Sequence, residues 1–517
     1  MHEIITIQLG QQSNYLGTHF WNTQESYFSY NEDETPVIDH DVHFRPGIAP
    51  DGTETFMPRT LIYDLKGAFG SLKKINALYD LEDEGEVDEK RAAALSLWQG
   101  KTTIQRQPPL APSPYTSALE NGILEPGRPK KEEIRFFSDY SRVYYHPRSI
   151  VQMNEYDIAG TVPFEKFETG EELFRDLDRE HDLLDRDLRP FVEEADSMQG
   201  FQVFTGLDDA WGGFAARYLE RVRDEYGKGA VWVWGLEQTK RGLTRDKRLQ
   251  KLANKARALT ELYKQATIVV PLAVPERLPR GVQLDYNSAW HTTGLLAVAV
   301  ESALLPTRLK DRSQRETLSS MAATLNTMGK QNVAGLQMRV VGPEEKEAKK
   351  ISDEDVSEGV KLDISFSPTD QLDSYGRSNG SQRPPRVFSQ LVLSRKPQRD
   401  VEEEGWEWEV DDKGERRRTS SYEPVTKGYN STLQFPILDS FPDIFRSEDG
   451  EPLTQAVNIT SSLSTDSSVC NRLKNLRTTV IRSIGLEDRE TLGNELMEMA
   501  DEYHEGWSSG SDEGEDD

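Results

Sequence analysis

Asp208 and Asp209 stand side by side in a glycine-bearing turn, between an apolar strand expected at 200–205 and a helix expected at 214–226. Adjacent carboxylates can share acid–base work, and an aspartate just ahead of a helix can also accept from the helix's first N–H groups. Capping needs no further residue, and nothing else in the chain completes a catalytic set. His40 and His43 lie beside Asp39 and Asp41, but no distant pair completes a metal-ligand spacing, so a loop of solvated histidines is expected. No Gly-x-Ser-x-Gly turn presents a serine nucleophile. The single cysteine, Cys470, excludes an intrachain disulfide or Cys-rich zinc site and reads as a small buried residue in a reducing compartment. Residues Thr239 to Lys264 offer binding rather than catalysis, with nine Lys or Arg against only Asp246 and Glu261 in an expected helix. Lys247, Arg248, Lys251 and Lys255 read as a face for an anionic membrane or acidic partner, or as one that pairs with the chain's own acidic surface.

Alternating strands and helices must position these groups. Glu3 to Leu9 reads as a buried strand ended by Gly10, with Ser13 or Asn14 capping a helix that carries Leu16, Phe20 and Trp21. Further strands are expected at 60–64, 200–205, 230–234, 268–272 and 390–394, and helices at 170–198 and 287–305. This is the pattern of an α/β, doubly wound, mostly parallel sheet. With 517 residues, two or three domains are expected. We divide the chain into a first domain at 1–285 (with a surface insertion at about 82–133 and the basic helix at 239–264), a central helix at 286–310, a second, smaller α+β domain at 311–440, a C-terminal helical region at 441–500 and a disordered acidic tail at 501–517.

Charge and hydropathy narrow the function. Against 62 Lys and Arg stand 89 Asp and Glu, a net charge of −27, so direct nucleic-acid binding is not expected. Arg45 is the first basic residue, after Glu3, Glu25, Glu32, Asp33 and Glu34, which is unlike a basic, acid-poor transit peptide. No run approaches the ~18–20 apolar residues of a transmembrane segment. The longest, from Gly294, is broken by Glu301.

The order of these pieces resembles tubulin. The opening from Met1 to Trp21, Pro58 and Arg59 before Tyr63, Asp64 and Leu65, the run Glu168 to Leu173, Gln199 to Gln202, and Tyr286 to Ser288 are similar to tubulin signatures over about the first 310 residues. The insertion, His146 to Ile150, and Phe164 to Gly170 look more narrowly like the Misato family of mitochondrial distribution and morphology proteins. That resemblance implies a tubulin/FtsZ-like fold and a role in mitochondrial distribution and mitochondrial DNA inheritance. It also implies a place on the cytosolic face of the mitochondrion and in the cytoplasm. The partners expected are chaperonin, tubulin or other cytoskeletal proteins, or the mitochondrial outer membrane.

The same resemblance assigns a nucleotide pocket. Gly10, Gln11, Gln12 and Asn14 match its first loop, Asp64 its second strand, and Tyr286 and Asn287 its base contact. Its second phosphate loop, Gly-Gly-Gly-Thr-Gly-Ser-Gly, falls on Asp208 to Phe214. Only Gly212 keeps its place there, and Gly213 replaces the serine. Two carboxylates and the bulk of Trp211 and Phe214 then oppose a phosphate: like charges at ~4 Å repel by about 1 kcal/mol in water and ~4 kcal/mol near a protein surface. Lys66 stands where the family has an acid, and Ala334 where the segment after Gly329 and Asn332 should carry the catalytic acid. The expectation is no GTPase activity and no required cofactor, with residual GTP or GDP binding open. The alternative is a divergent GTP-binding, assembly-competent GTPase.

Overall fold

The computed structural model describes residues 3–29, 36–48, 54–72, 110–239, 241–279, 281–341, 361–368, 385–396, 424–447, 450–483 and 489–504. The acidic and proline-rich stretch up to residue 109, the polar region 344–358, most of 367–385, the charge-dense 399–421 and the tail from 505 lie outside them.

The chain opens with β1 (Glu3–Leu9), buried at every position, and runs from Gly10 straight into α1 (Gln11–Glu25). No side chain caps α1: Ser13 and Asn14, expected as caps, are already inside the helix. A small hairpin, β2 (Phe44–Ile48) and β3 (Glu54–Pro58), precedes β4 (Thr60–Lys66). After α2 (Pro114–Glu120) come β5 (Ile150–Asp157), α3 (Phe167–His181), a short α4 (Arg189–Glu194) and β6 (Met198–Gly206). The remaining units are α5 (Ala210–Glu225), β7 (Ala230–Glu237), α6 (Arg245–Gln265) and β8 (Ile268–Ala273). The single helix expected at 170–198 is broken where Asp182 turns left-handed, with φ 45°.

Six of these strands form one sheet in the order β5-β4-β1-β6-β7-β8, every pair parallel. Both faces are covered, which explains the continuous apolar runs. Ile4 and Phe204 face a core shared with α1, whereas Ile5, Ile7, Phe201 and Val203 face α3, α5 and α6. Strand order reverses at β1, so the crevice beyond the carboxyl ends of β1, β4 and β6 is where such sheets place ligands.

The central helix α7 (Ala289–Leu304) is capped by Ser288 and buried from Thr293 onward. Its one acid, Glu301, is fully buried and anchors an ion network. Arg308 and Arg395 pair with it, while Tyr27 Oη donates at 3.0 Å and Gln24 Nε2 at 3.1 Å. Burial pushes the Glu301 carboxyl up, but Arg395 and Arg308 outweigh it and hold it below the usual range.

Arg395 belongs to the second sheet and ties the two domains together. After α8 (Leu318–Leu325), β9 (Gly335–Val341), β10 (Lys361–Ser365), β11 (Val387–Arg395), β12 (Val425–Ser431) and β13 (Asn458–Asp466) assemble in the order β10-β9-β13-β11-β12. Residues 458–466 therefore extend the second domain beyond 440, where the sequence suggested only helix. The helical region proper is α9 (Ser468–Ser483) and α10 (Arg489–Asp501), which return to α6 in the first domain. Lys264 Nζ lies 2.9 Å from Glu495 Oε1, and Tyr503 Oη accepts from Val333 N at 2.7 Å.

The later part of the expected surface insertion is anchored. Tyr115 of α2 is buried and donates to Asp439 Oδ1 at 2.9 Å, which Arg142 also meets at 2.9 Å. His43 is buried and His40 half-buried, rather than solvated. His40 stacks on Phe28 at 3.8 Å, and His43 meets Phe20 and Trp21 edge-on. Cys470 is buried as expected.

Candidate functional site at the head of the sheet

The site is built where β1, β4 and β6 end. Gly10 leaves β1 with φ 88°, a conformation open to glycine. Its N–H donates to Tyr63 O at 3.0 Å, and its carbonyl accepts from Asn14 N at 3.0 Å. A β-carbon there would lie 2.4 Å from Trp211 Nε1, so the indole rests directly on the loop. Trp211 is only 6 % exposed and meets Phe164 and Phe214 edge-on, at 5.2 and 5.7 Å between centroids. Gln11 and Gln12 are half-buried in the first turn of α1.

Asp209 caps α5. Its Oδ1 accepts from Trp211 N at 2.9 Å, and its carbonyl accepts from Gly212 N at 3.3 Å. The first amides of this helix, with their partial positive charge, are thus answered by the chain's own carboxylate. Asp208 is buried rather than solvated, its Oδ2 accepting from Lys251 Nζ at 3.1 Å and Gln238 N at 3.2 Å. Asp64 is buried too, accepting from Asn14 Nδ2 at 2.7 Å and Leu65 N at 2.8 Å. Burial pushes the Asp64 carboxyl up to about 7 despite these bonds, with Asp209 adding to the rise. Asp209 is raised as well, first by burial and then by Asp208, against the opposing pull of Lys251.

The glycines expected at the phosphates instead let helices approach. A β-carbon on Gly212 would lie 2.8 Å from Ala258 Cβ of α6, and one on Gly213 would lie 2.0 Å from Phe167 O of α3. Among the described residues, no group of three or more His, Cys, Asp or Glu is placed to hold a metal ion.

A family model of the Misato Segment II tubulin-like domain matches residues 2–121, and one of the tubulin domain matches 126–309. The dml-1 protein of Neurospora crassa is 56% identical over 550 residues, with all of both chains covered. The DML1 protein of Gibberella zeae is 42% identical over 521 residues, again with both chains covered. This chain belongs to the Misato family of tubulin-like proteins. A more distant relative, the dml1 protein of Schizosaccharomyces pombe, is 34% identical over 334 residues, covering 60% of this chain and 66% of its own.

Other positions matched to tubulin are occupied differently in this Misato-family chain. Tyr286 donates to Pro275 O at 2.8 Å, and the Arg241 guanidinium sits 3.5 Å above its ring, covering a face that could stack on a base. Asn287 is exposed, its N–H donating to Asp285 Oδ1 at 2.9 Å. Lys66 is exposed. Asn332 Nδ2 donates to Tyr263 O and Ala266 O at 2.9 and 3.2 Å, securing the end of α6, while Ala334 is buried.

The basic helix corrects the surface-patch expectation. Lys255 is 2 % exposed and pairs with the equally buried Glu237 at 2.6 Å, and Lys251 is turned inward onto Asp208. The reason is helical phase: Lys255 falls between Leu252 and Leu259 on the apolar stripe. Lys247 stays about half exposed beside Glu165, and Arg248 Nε donates to Leu243 O. Asn254 on the same helix went unnoticed in the sequence. It donates to Asp208 O at 3.1 Å and Glu165 O at 2.7 Å and accepts from Phe167 N at 3.1 Å. Its position three residues after Lys251 was the available signal.

The raised Asp64 carboxyl has a measurable consequence. The folded chain holds this proton more tightly than the unfolded chain does. The stability contributed is therefore full below about pH 4, shrinks as the pH rises, and is lost above about pH 7. Melting curves of wild type and Asp64→Asn over that window should diverge, wild type losing ground as the pH rises. Parallel curves would show that Asp64 titrates normally.

Proposed function

We propose that this Misato-family protein is a non-catalytic tubulin relative that acts in mitochondrial distribution, morphology and mitochondrial DNA inheritance by binding other proteins or a membrane surface. The observation that carries the loss of GTPase chemistry is Trp211 lying on Gly10, with Asp209 answering the α5 amides beside it. A nucleotide's anionic end does not suit that arrangement, because an indole and a carboxylate stand where it would enter. Ala334, where a water-activating acid would be needed, supports the same reading. The mitochondrial role rests on family membership and the meaning of the family's name. Among the described residues no helix is long and apolar enough to cross a membrane, which fits peripheral contact with the outer membrane. The partners proposed are chaperonin, tubulin or other cytoskeletal proteins.

The second reading, a divergent assembling GTPase, draws on the retained Gly10-to-Asn14 loop and its bond to Asp64. Calorimetry with GTP and GDP, with and without Mg²⁺, separates the two. The expected result is no saturable heat and no phosphate release, and tight binding with turnover would replace our reading. In cells relying on Asn14→Ala as the sole copy, mitochondrial distribution should match wild type provided the variant folds.

A further inference from the structure

A second recess lies at the amino end of α7, where four separate stretches of chain close around a cleft of about 500 Å³. That volume suits a small organic ligand. None of its lining residues belongs to the loops around Gly10, Asp64 or Trp211. Arg128 and Lys130 come from the segment after α2, Trp290 and His291 from α7, and Arg446 from the loop before β13. The walls are joined by backbone bonds: Gln283 N donates to Ile444 O at 2.8 Å, and Arg446 N donates to Gly281 O at 2.9 Å.

The lining sets four cations, Arg128, Lys130, Lys131 and Arg446, against three carboxylates, Glu132, Asp285 and Asp443, a small cationic excess in a chain of net charge −27. Asp443 answers Arg128, and Asp285 answers Lys131. Among the described residues, no carboxylate pairs with Arg446 or Lys130. Arg446 Nη1 instead donates to Gly450 O at 3.2 Å. Two buried guanidinium nitrogens at this cleft, Arg128 Nε and Arg446 Nε, have no hydrogen-bond partner, and neither have His291 Nδ1 and, its ion pair with Arg128 aside, the acceptor Asp443 Oδ1. Buried donors without acceptors are costly and rare, and a bound oxyanion would satisfy the two guanidinium nitrogens. Burial lowers the Arg128 guanidinium, the nearby Asp439 carboxylate opposes that, and the positive charge of Arg446 adds to the lowering. Half-buried Leu284 adds apolar surface beside them, with the narrow uncovered margins of the buried Trp290 and Pro129.

We propose that this cleft binds a small organic phosphate, its oxyanion held by Arg128, Arg446 and Lys130 and its carbon body laid against Leu284 and the uncovered margin of Trp290. Guanidinium groups match phosphate oxygens in fork geometry, and the positive end of α7 adds to the attraction. Nothing in this assignment depends on the state of the Trp211 site.

Phenyl phosphate, benzoate and inorganic phosphate titrated into the full chain provide the test. Saturable binding of phenyl phosphate is expected, stronger than either of the other two and weakened by salt. Arg446→Gln should weaken it about tenfold or more, and Trp211→Phe should leave it unchanged. Lys130 is exposed, so Lys130→Gln decides the matter if Arg446→Gln fails to fold. Weaker binding by Lys130→Gln at an unchanged melting temperature supports the site. No saturable binding, wild-type affinity in the folded variants, or benzoate binding as well as phenyl phosphate would overturn it.

Discussion

Replacing Glu301 with alanine should cost about 3–5 kcal/mol of stability, the usual penalty for stripping one partner from a buried ion network. Glu301 is fully buried among Arg308, Arg395, Tyr27 and Gln24. Its loss leaves two guanidiniums in the interior without a counter-charge, and neither can shed its proton. The shift in urea midpoint measures the effect, and hydrogen exchange along α7 and β11 should show both domains loosening together. A loss below about 1 kcal/mol would mean that water or another acid reaches the arginines. Glu301→Gln should be nearly as harmful, because it keeps an acceptor but not the charge. Since the carboxyl is held low in the folded state, its contribution is full above the ordinary glutamate range and fades as the pH falls through the folded value.

The second large effect separates residues that sequence reading grouped together. Lys255→Glu should prevent folding or cost at least about 3–5 kcal/mol, because a second carboxylate would face Glu237 where both side chains are at most 2 % exposed. Lys247→Glu should change stability by less than about 1 kcal/mol, since that pair with Glu165 is half in water. Soluble yield and melting temperature of the two variants make the comparison. Equal behaviour would mean that α6 is not seated as described. A fourfold charge reversal across Lys247, Arg248, Lys251 and Lys255 therefore cannot test membrane recruitment, because it would destroy the core first. Lys247 alone can.

The contrast shows what could be read in advance. β1 was legible because a strand covered on both faces is a plain apolar run, and Gly10 because only a turn of that kind needs glycine there. β13 was not, because Ser461 and Thr465 point inward beside Ile459 and Leu463, and small hydroxyls hide a period of two. Those hydroxyls are satisfied by helix carbonyls: Ser461 by Ala299 O at 3.0 Å, Thr465 by Leu325 O at 2.9 Å. Arg395 was findable, since it continues the inward row Ser389, Leu391, Leu393 of β11. At the sheet head, sequence located the residues, and alignment placed Trp211 near the loop. What it could not give was the indole's direction or the burial of Asp208 and Asp64, which depend on how α3, α5 and α6 close together. The cleft at α7 was invisible, since its walls lie hundreds of residues apart in the chain.

The place of β13 bears on how the polypeptide is made. Among the described residues it is the last strand in the sequence, yet it sits in the middle of its sheet, between β9 and β11. β11 ends at Arg395 and β13 at Asp466, so at roughly 5–20 residues per second a ribosome needs about 4–14 s after β11 to deliver it. Throughout that interval the two waiting strands each carry an open edge, which is the template for sticking to a neighbouring nascent chain. Premature termination between residues 395 and 458 would make that exposure permanent, so nonsense products of that length should precipitate rather than persist as soluble fragments.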